Sequence, residues 1–359
     1  MSDSYEKPRW ARDAAAHSRA HSYLERAPKV DLHVHLEGAV RPARLLQILR
    51  RNGVHSDLRS EADVAFLYKH DSLQEFLDHY RFVVTALSDV QDVHDIALDL
   101  FRELRMLRVV YAEVIFSAGI FVRMGMPWDE LLSAVTEAET MARKEANVEK
   151  ARPYGLVIDL VRNFGAKFAV QQVEALEKLR PERVVGIHLG GDEAGFPCRD
   201  FGTAFGLAAE INLGRAAHAG EGAGAESVRE AVEVLGVQRV GHGVRCLEDA
   251  AVVDLLLERQ VTLEVCLSSN RATGLVSSIT EHPLPKLLDA GLAITLGSDD
   301  PSYFDTDILR EHLLAHDELG ISLEVLNACA DAGIHSAFLD ADARQELQAE
   351  VVAERRSIA

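Results

Sequence analysis

The chain has 359 residues, of which 48% are hydrophobic and 26% are charged, and its formal net charge is −19. This is the composition of a globular protein that can bury a large core. An acidic surface repels phosphate backbones, so we do not expect nucleic acid as a partner. No apolar run approaches the roughly 18 residues that span a bilayer, so we do not expect a membrane partner either.

The expected cellular location is the cytoplasm. Residues 1–27 are charged and contain no apolar segment of the kind found in signal peptides. The four cysteines, Cys198, Cys246, Cys266 and Cys329, show no C-x-x-C spacing. In a chain of this size, that pattern indicates a reducing compartment rather than a disulfide scaffold.

Eight short segments rich in β-branched residues alternate with stretches of helical composition. Most of the short segments are near-continuous apolar runs, as expected for strands buried on both faces of a parallel sheet. They are Lys29–Leu36, Val109–Ser117, Tyr154–Arg162, Val184–Gly190, Gly214–Glu221, Arg239–Arg245, Val261–Ser269 and Ala293–Asp299. The helical stretches between them include Arg41–Asn52, Val170–Leu179, Glu226–Leu235 and Asp249–Arg259. Eight β-α alternations predict an α/β fold of the (β/α)8 TIM barrel type, with a doubly wound parallel sheet as the alternative.

The longest departure from this alternation lies between the first and second strands. Residues Ser72–Leu107 are mostly helical in pattern and predict an insertion of two helices over the mouth of the barrel. Its apolar side chains either cover a bound substrate or only pack the insertion on the barrel, and packing is the favoured interpretation; they are Phe76, Leu77, Tyr80 and Phe82. We expect residues 1–359 to form one domain, with the barrel over about 28–315, the insertion over about 71–107 and closing helices over about 321–356.

Two histidines stand one residue apart in the first predicted strand, in the run Asp31-Leu-His-Val-His-Leu-Glu-Gly38. Residues i and i+2 of a strand point to the same side, so His33 and His35 would face one point at the end of the strand. Imidazole is the commonest protein ligand for a metal such as zinc. The pair therefore predicts a metal site, and two polar residues on an exposed strand face are the simpler alternative.

Three more segments place polar residues at the carboxyl ends of predicted strands. The fifth strand ends in His218-Ala-Gly-Glu221, the sixth carries Gly241-His-Gly243, and the eighth ends in Ser298-Asp-Asp-Pro301. Each motif alone is weak, because a glycine-flanked histidine is often structural and Asp-Asp-Pro often begins a helix. In a closed barrel, however, these strand ends share one rim with the first strand, and ligand residues sit on that rim. The four segments together therefore predict one polar site.

These residues make the chain resemble the adenosine deaminase-type members of the amidohydrolase superfamily, over roughly residues 28–315. Further motifs that carry the resemblance are Leu189-Gly-Gly-Asp-Glu193, Gly241-His-Gly-Val244, Ser268-Ser-Asn270 and Gly297-Ser-Asp-Asp-Pro301. The family implies a hydrolase of purine metabolism that replaces the amino group of a 6-aminopurine. Adenosine or deoxyadenosine, deaminated to inosine or deoxyinosine with release of ammonia, is the expected small-molecule substrate.

The resemblance also implies roles for particular residues. One zinc ion per chain would be held by His33, His35, His218 and Asp299. Glu221 would donate a proton to the purine ring, and His242 would orient the attacking water. Asp300 would hydrogen-bond ring nitrogen N7, the backbone N–H of Gly191 would meet N3, and Glu37 would reach the substrate pocket beside His35.

Elementary chemistry supports these implied roles. Displacing an amino group from an aromatic purine requires a strong nucleophile at neutral pH, and a metal provides one by lowering the pKa of bound water. A carboxylic acid such as Glu221 can protonate the ring nitrogen if burial and nearby carboxylates raise its pKa. Zinc nucleobase deaminases of the other kind use H-x-E with P-C-x-x-C. Pro197-Cys198 begins such a motif, but Phe201 stands where its second cysteine is required.

The residues that separate substrates within the family give mixed signals. Glu37 stands where typical adenosine deaminases carry the Asp that meets the ribose 5′-hydroxyl, and in this it resembles adenine deaminases. Gly241 replaces an Asp that free-adenine enzymes often carry, which favours a nucleoside. His188 replaces the usual Asp before Leu189, and we expect it to be a hydrogen-bonded residue near the pocket rather than a fifth ligand. Adenine, or another adenine-bearing metabolite, is the alternative substrate.

Two other classes of protein could use the same barrel. An amidohydrolase acting on an amide or a phosphoester is one, but its two-metal forms have a bridging lysine or glutamate at the end of the fourth strand. This chain has Gly190-Gly191 there, which favours a single metal. A binding protein without catalytic activity is the other, and it would require the whole set of metal residues to be vestigial.

Overall fold

Eight parallel strands form a barrel. The computed structural model describes residues 19–54, 57–69 and 73–358 of the chain. Within these residues the strands lie side by side in the order of the sequence. They are β1 (Lys29–His35), β2 (Val109–Phe116), β3 (Gly155–Asp159), β4 (Val184–His188), β5 (Gly214–Ala219), β6 (Arg239–His242), β7 (Thr262–Val265) and β8 (Ile294–Leu296). A bridge between Val34 and Asp299 joins the two ends of the sheet, which confirms the TIM barrel and excludes the doubly wound sheet.

Helices surround the barrel and close its ends. In the described part of the chain they are α1 (Arg19–Arg26), α2 (Pro42–Arg51), α3 (Glu61–Leu67), α4 (Leu73–Ala86), α5 (Val90–Met106), α6 (Ala118–Arg123), α7 (Trp128–Glu145), α8 (Ala166–Leu179), α9 (Gly202–Glu210), α10 (Ala225–Glu233), α11 (Ala250–Arg259), α12 (Leu267–Ala272), α13 (Leu284–Asp289), α14 (Ile308–Asp317), α15 (Leu323–Ser336) and α16 (Ala341–Ile358). The sequence pattern places α2, α8, α10 and α11 correctly to within a few residues. Asp249 lies outside α11 because its side chain caps the helix, accepting the backbone N–H of Ala251.

Several strands end earlier than their apolar patterns predict. β3 ends at Asp159 rather than Arg162, and β5 ends at Ala219 rather than Glu221. β7 ends at Val265, after which the chain turns directly into α12. The polar residues at these ends leave the sheet and enter loops, where their side chains can turn inward over the mouth of the barrel.

Helices α4 and α5 lie between the first two strands, over the range where the sequence pattern predicts an insertion. Phe76 on α4 is buried, and its ring centroid lies 5.4 Å from that of Tyr303. Tyr80 lies 5.6 Å from the same ring. Since Tyr303 follows the carboxyl end of β8, the insertion packs on the loop beyond that strand. Phe82 is half-buried against the core, and the side chain of Leu77 lies outside the described residues.

The four cysteines, Cys198, Cys246, Cys266 and Cys329, are all buried with free thiols. Their arrangement agrees with the predicted absence of a disulfide scaffold. Among the described residues, we find no helix with the length and apolar character that crossing a bilayer requires.

Candidate active site

Side chains from four parts of the rim meet at the carboxyl end of the barrel. One nitrogen or oxygen atom from each of His33, His218, His242 and Asp299 lies within 4.8 Å of the others. Nε2 of His33 lies 3.0 Å from Nε2 of His218 and 3.6 Å from Oδ1 of Asp299. These residues stand on β1, β5 and β6 and directly after β8, so the structure brings together the rim motifs that the sequence singled out.

His35 lies beside this group of four. Its Nε2 atom is 3.4 Å from Oδ1 of Asp299 and has no hydrogen-bond partner among the described residues. Nε2 of His242, which the family resemblance assigns to the attacking water, lies 3.9 Å from Oδ2 of Asp299. The distances are therefore compatible with two possible sets of metal ligands. Both contain Asp299, His33 and His218, and the third histidine is either His35 or His242.

An unusual backbone conformation directs two of these side chains inward. His242 and Asp299 have φ values of 61° and 58°, in the left-handed region that residues other than glycine rarely adopt. Such conformations cost free energy and are found preferentially at functional sites. After Asp299 the chain continues through turns, and α14 begins only at Ile308. The interpretation of Asp-Asp-Pro as the start of a helix is therefore wrong.

Gly241 is required by the packing of the histidines. A Cβ atom at this position would lie 2.6 Å from Cε1 of His33 and 2.7 Å from Cδ2 of His218. These distances are shorter than any normal carbon contact, so a side chain at 241 would displace both rings. The sequence interpretation used Gly241 as evidence for a nucleoside substrate. The structure gives a steric reason for the glycine that is independent of substrate.

The donor atoms of this site suit a divalent cation. Burial lowers the pKa of His35 to about 3 and that of His242 to about 4, and burial with the neighbouring histidines also lowers the pKa of His218 well below its usual range. Burial alone would raise the pKa of Asp299, but its contact with His33 and the nearby imidazoles hold that pKa well below its usual range. Neutral rings and an ionised carboxylate are the forms that bind metal. Oδ1 of Asp299 and Nε2 of His35 are buried without a hydrogen-bond partner among the described residues, and a cation would satisfy both.

His33 differs from the other histidines. Burial alone would lower its pKa, but contacts with Asp299 and with Glu264 raise the pKa to about 10. Without a metal, His33 therefore carries a second proton between two carboxylates. A cation bound to His33 would take the place of that proton, so metal binding at this site would release a proton.

Glu221 stands in the loop after β5, with Oε2 3.5 Å from Nε2 of His242. The carboxylate of Glu193 accepts three successive backbone N–H groups of residues 220–222, at 2.6, 3.1 and 2.7 Å, and so holds this loop in place. Burial and the charges of Asp299 and Glu193 raise the pKa of Glu221 to about 8. Glu221 therefore holds a proton at neutral pH, as a general acid must.

Glu37 is fully buried in the turn after β1. Its Oε1 accepts the backbone N–H of Ser117 at 2.9 Å, whereas its Oε2 has no hydrogen-bond partner among the described residues. Burial, aided by the nearby charge of Asp159, raises the pKa of Glu37 to about 8. One oxygen of this side chain is thus structural and the other is open to a partner.

Asp300 packs directly against the backbone of Gly38, where an added Cβ would overlap Oδ1 of the carboxyl group. Burial and the charges of Asp299 and Glu37 raise the pKa of Asp300 well above its usual range. Its Oδ1 is buried without a hydrogen-bond partner among the described residues. Asp300 is therefore a neutral carboxyl group that can donate a hydrogen bond.

The last two residues singled out from the sequence lie beside this centre. Gly191 is exposed after β4, with a φ of 98° that suits glycine. His188 lies with Nδ1 3.2 Å from Oδ1 of Asp159, and its ring centroid is 4.5 Å from that of His218. His188 is thus hydrogen-bonded near the site, as expected, and it is not one of the four residues that share a centre.

Sequence reasoning assigned no role to three buried acidic residues that support the site. Glu264 lies with Oε2 2.7 Å from Nδ1 of His33, Asp159 holds His188, and Glu193 holds the loop of Glu221. Charged residues are rarely fully buried unless they are paired. Glu264 is an acidic residue inside an otherwise apolar predicted strand. That position in the sequence indicates a buried carboxylate with a partner, and so points to a supporting residue.

Comparisons with known proteins agree with this geometry. The family profile described as "Adenosine deaminase" matches residues 28–354. The aminodeoxyfutalosine deaminase of Acidothermus cellulolyticus is 34% identical over 336 residues, which cover 90% of this chain and 91% of that protein. An adenine deaminase of Rhizobium rhizogenes is 36% identical over 321 residues, covering 89% of this chain and 98% of that protein.

The same fold is found in a solved structure. The crystal structure of an adenine deaminase from Arthrobacter aurescens matches with a TM-score of 0.85 at 29% identity, covering 91% of this chain and 98% of that one. The profile match and the identities to curated deaminases extend over nearly the whole barrel and include its rim. This chain therefore belongs to the adenosine deaminase family, a family of metal-dependent hydrolytic enzymes.

Proposed function

We propose that this enzyme breaks the bond between C6 and the exocyclic amino group of a 6-aminopurine, releases ammonia and leaves oxygen at C6. The observation that carries this proposal is the position of Glu221, a carboxyl group with a raised pKa, beside the group formed by Asp299 and the histidines. Attack by water on a purine ring requires both an activated nucleophile and a proton for the ring.

Zinc is the proposed metal, at one ion per chain, because nitrogen-rich sets with one carboxylate suit zinc. The proposed ligands are His33, His35, His218 and Asp299. When bound, the ion would lower the pKa of a water molecule enough for it to act as a nucleophile near neutral pH. His242 faces the same point and orients that water, and the ionised Asp299 can accept a hydrogen bond from it.

The remaining residues hold the purine ring. Glu221 donates its proton to ring nitrogen N1, next to C6, so that negative charge does not accumulate as oxygen adds. Asp300 is protonated and donates to N7, which is an acceptor in a 9-substituted purine. The backbone N–H of Gly191 meets N3. The leaving amino group departs as ammonia after taking one proton from the attacking water, and the other proton of that water returns Glu221 to its acid form, so one water is consumed for each ammonia released.

Glu37 bears on the choice between nucleoside and free base. Its unpartnered Oε2 needs a hydrogen-bond partner, which a ribose hydroxyl would supply as either donor or acceptor, and we propose adenosine or deoxyadenosine as the substrate on this ground. Adenine is the second candidate, because its N9–H is also a donor and because relatives at 31–36% identity are named adenine deaminases. The rings of His33 and His218 give a second reason for Gly241 in this structure, which weakens the sequence argument against adenine.

A panel of adenine compounds tests the proposal. The purified, zinc-loaded enzyme is incubated with adenosine, deoxyadenosine, adenine and aminodeoxyfutalosine, and ammonia and the 6-oxopurine product are measured. We expect equal amounts of both products from at least one compound. Ammonia release from none of them, with zinc bound at one ion per chain, would overturn the proposed function.

A further inference from the structure

A chain of hydrogen bonds runs through the protein interior behind His242. The backbone N–H of Leu284 donates to Nδ1 of His282 at 3.0 Å. Nε2 of His282 lies 3.0 Å from Oδ1 of Asn270, and Nδ2 of Asn270 lies 3.0 Å from Nδ1 of His242. His282, Asn270 and His242 are all buried. Water therefore does not compete for these bonds, and each one constrains the next.

The direction of the chain follows from its first donor. A backbone N–H can only donate, so Nδ1 of His282 is an acceptor and neutral His282 carries its proton on Nε2. That proton points to Oδ1 of Asn270, which leaves the amide NH2 to donate to Nδ1 of His242. Neutral His242 must then carry its own proton on Nε2, the atom that faces the active site. Because Nδ1 accepts a hydrogen bond in both rings, both histidines are neutral, and burial also lowers the pKa of His282 to about 4.

We propose that His282 and Asn270 are positioning residues that fix His242 in the Nε2–H form, so that it faces the site as a hydrogen-bond donor and not as a metal ligand. A protonated ring nitrogen has no lone pair to give to a cation. His35 then completes the ligand set with His33, His218 and Asp299. This proposal rests on the proposed function only for the identity of the water that His242 orients.

The surroundings of His242 fit a donor. Its Nε2 atom has no hydrogen-bond partner among the described residues, and it lies 3.5 Å from the carboxyl group of Glu221 and 3.9 Å from that of Asp299. A water molecule between these groups would receive its hydrogen bond from His242. His33 shows the opposite arrangement, because a carboxylate, Glu264, lies against its Nδ1 and leaves Nε2 to face the site. Asn270 at Nδ1 of His242 and Glu264 at Nδ1 of His33 thus give the two histidines different chemical roles.

Nitrogen-15 NMR of histidine-labelled, zinc-loaded wild-type enzyme tests the proposal without any substitution in the chain of hydrogen bonds. The His242 signals are assigned by their loss in His242→Asn. We expect Nε2 of His242 to show the shift and the attached proton of an N–H nitrogen. A proton on Nδ1, or a metal-bound Nε2, would overturn the proposal. Because this measurement uses no substrate, it separates failure of this inference from failure of the proposed function.

Two variants test the direction of the hydrogen bonds that join His282, Asn270 and His242. Asn270→Leu keeps the size of the side chain but removes both hydrogen bonds, and we expect kcat to fall by about 100-fold or more with zinc content and KM little changed. His282→Gln is the matched control, since a Gln amide can accept from Leu284 and donate to Asn270, and we expect it to stay close to wild type. Wild-type turnover in Asn270→Leu, loss of zinc from it, or an equal loss of kcat in His282→Gln would each contradict the proposal. If Asn270→Leu does not fold, the wild-type spectrum decides.

Discussion

The carboxylate of Glu264 lies 2.7 Å from Nδ1 of His33, and both side chains are fully buried. The other oxygen of Glu264 is paired with Arg239, whose guanidinium also pairs with Glu113 at 2.7 Å. A carboxylate on the far nitrogen of a metal-binding imidazole fixes the orientation of the ring and raises its basicity. Glu264, Arg239 and Glu113 thus form a buried line of charges inside the barrel, and this line supports the proposed metal ligand His33.

Glu264→Gln tests this support. The amide keeps the size of the side chain but loses its charge, so we expect zinc affinity to fall by about 10- to 100-fold. Glu113→Gln is the matched control, because Glu113 is equally buried and pairs with the same arginine, whereas Glu264 is the one that contacts His33. Zinc dissociation constants measured by competition with a chelator separate the two variants. Equal affinities in both would show that the line of charges is only structural.

The metal ligands can be distinguished by single substitutions. His33→Ala, His35→Ala and His218→Ala should each lose bound zinc and activity, because each removes one of four proposed ligands. His242→Ala should keep zinc but lose activity. Elemental analysis of the dialysed variants measures this directly. Loss of zinc from His242→Ala with retention in His35→Ala would select the other set of histidines around Asp299.

Glu221→Gln tests acid catalysis. Glutamine keeps the size and hydrogen-bonding capacity of the side chain but cannot deliver a proton, so we expect kcat to fall by about 100-fold or more. Zinc content should be unchanged, because Glu221 is not a proposed ligand. Steady-state kinetics with metal analysis of the same sample provide the measurement. A variant with near-normal turnover would show that Glu221 serves only the structure of its loop.

The raised pKa of Glu221 predicts the pH at which kcat begins to fall on the basic side of the pH profile. The group acts only when it is protonated, so its contribution is complete below the folded pKa and is lost as pH rises through it. That pKa is about 8 without a metal, and a nearby cation stabilises the carboxylate, so this fall should begin at or below about pH 8. We expect kcat to fall about tenfold for each further pH unit. A fall that is unchanged in Glu221→Gln would be assigned to another group.

Glu37→Gln tests the choice of substrate. Glutamine can still accept the backbone N–H of Ser117 through its carbonyl oxygen, so the turn after β1 should keep its shape. If the other oxygen of Glu37 bonds a ribose hydroxyl, weakening that bond should lower kcat/KM for adenosine by up to about tenfold, since a typical hydrogen bond contributes about 0.5–1.5 kcal/mol net. The value for adenine should change less. Comparing both substrates in wild type and variant gives the answer, and a tenfold preference of the wild type for adenine would reject the nucleoside.

The barrel and the place of the site follow from the sequence because parallel strand ends converge whatever the details of the loops. His33, His218 and Asp299 could therefore be assigned to one rim from the order of their strands alone. The sequence could not show which nitrogen of each ring faces that rim. Residues from distant parts of the chain decide this, namely Glu264 for His33 and Asn270 with His282 for His242.

The reason for Gly241 cannot be recognised from its own sequence motif. In the sequence it is the position where free-adenine enzymes often carry an Asp, and its identity indicates a substrate. In the structure the rings of His33 and His218 occupy the space that any side chain would need. Because that space depends on contacts between β1, β5 and β6, pattern and spacing within one motif could not have revealed it.

Hydrolytic deamination at C6 is tested most directly by the reaction in water enriched in oxygen-18. The zinc-loaded enzyme is incubated with adenosine and with adenine, and the purine product is analysed by mass spectrometry while released ammonia is counted. We predict one oxygen-18 atom in the product, located at C6, for each ammonia released. Ammonia released without the label at C6, or conversion that continues in His33→Ala without bound metal, would contradict the proposed chemistry.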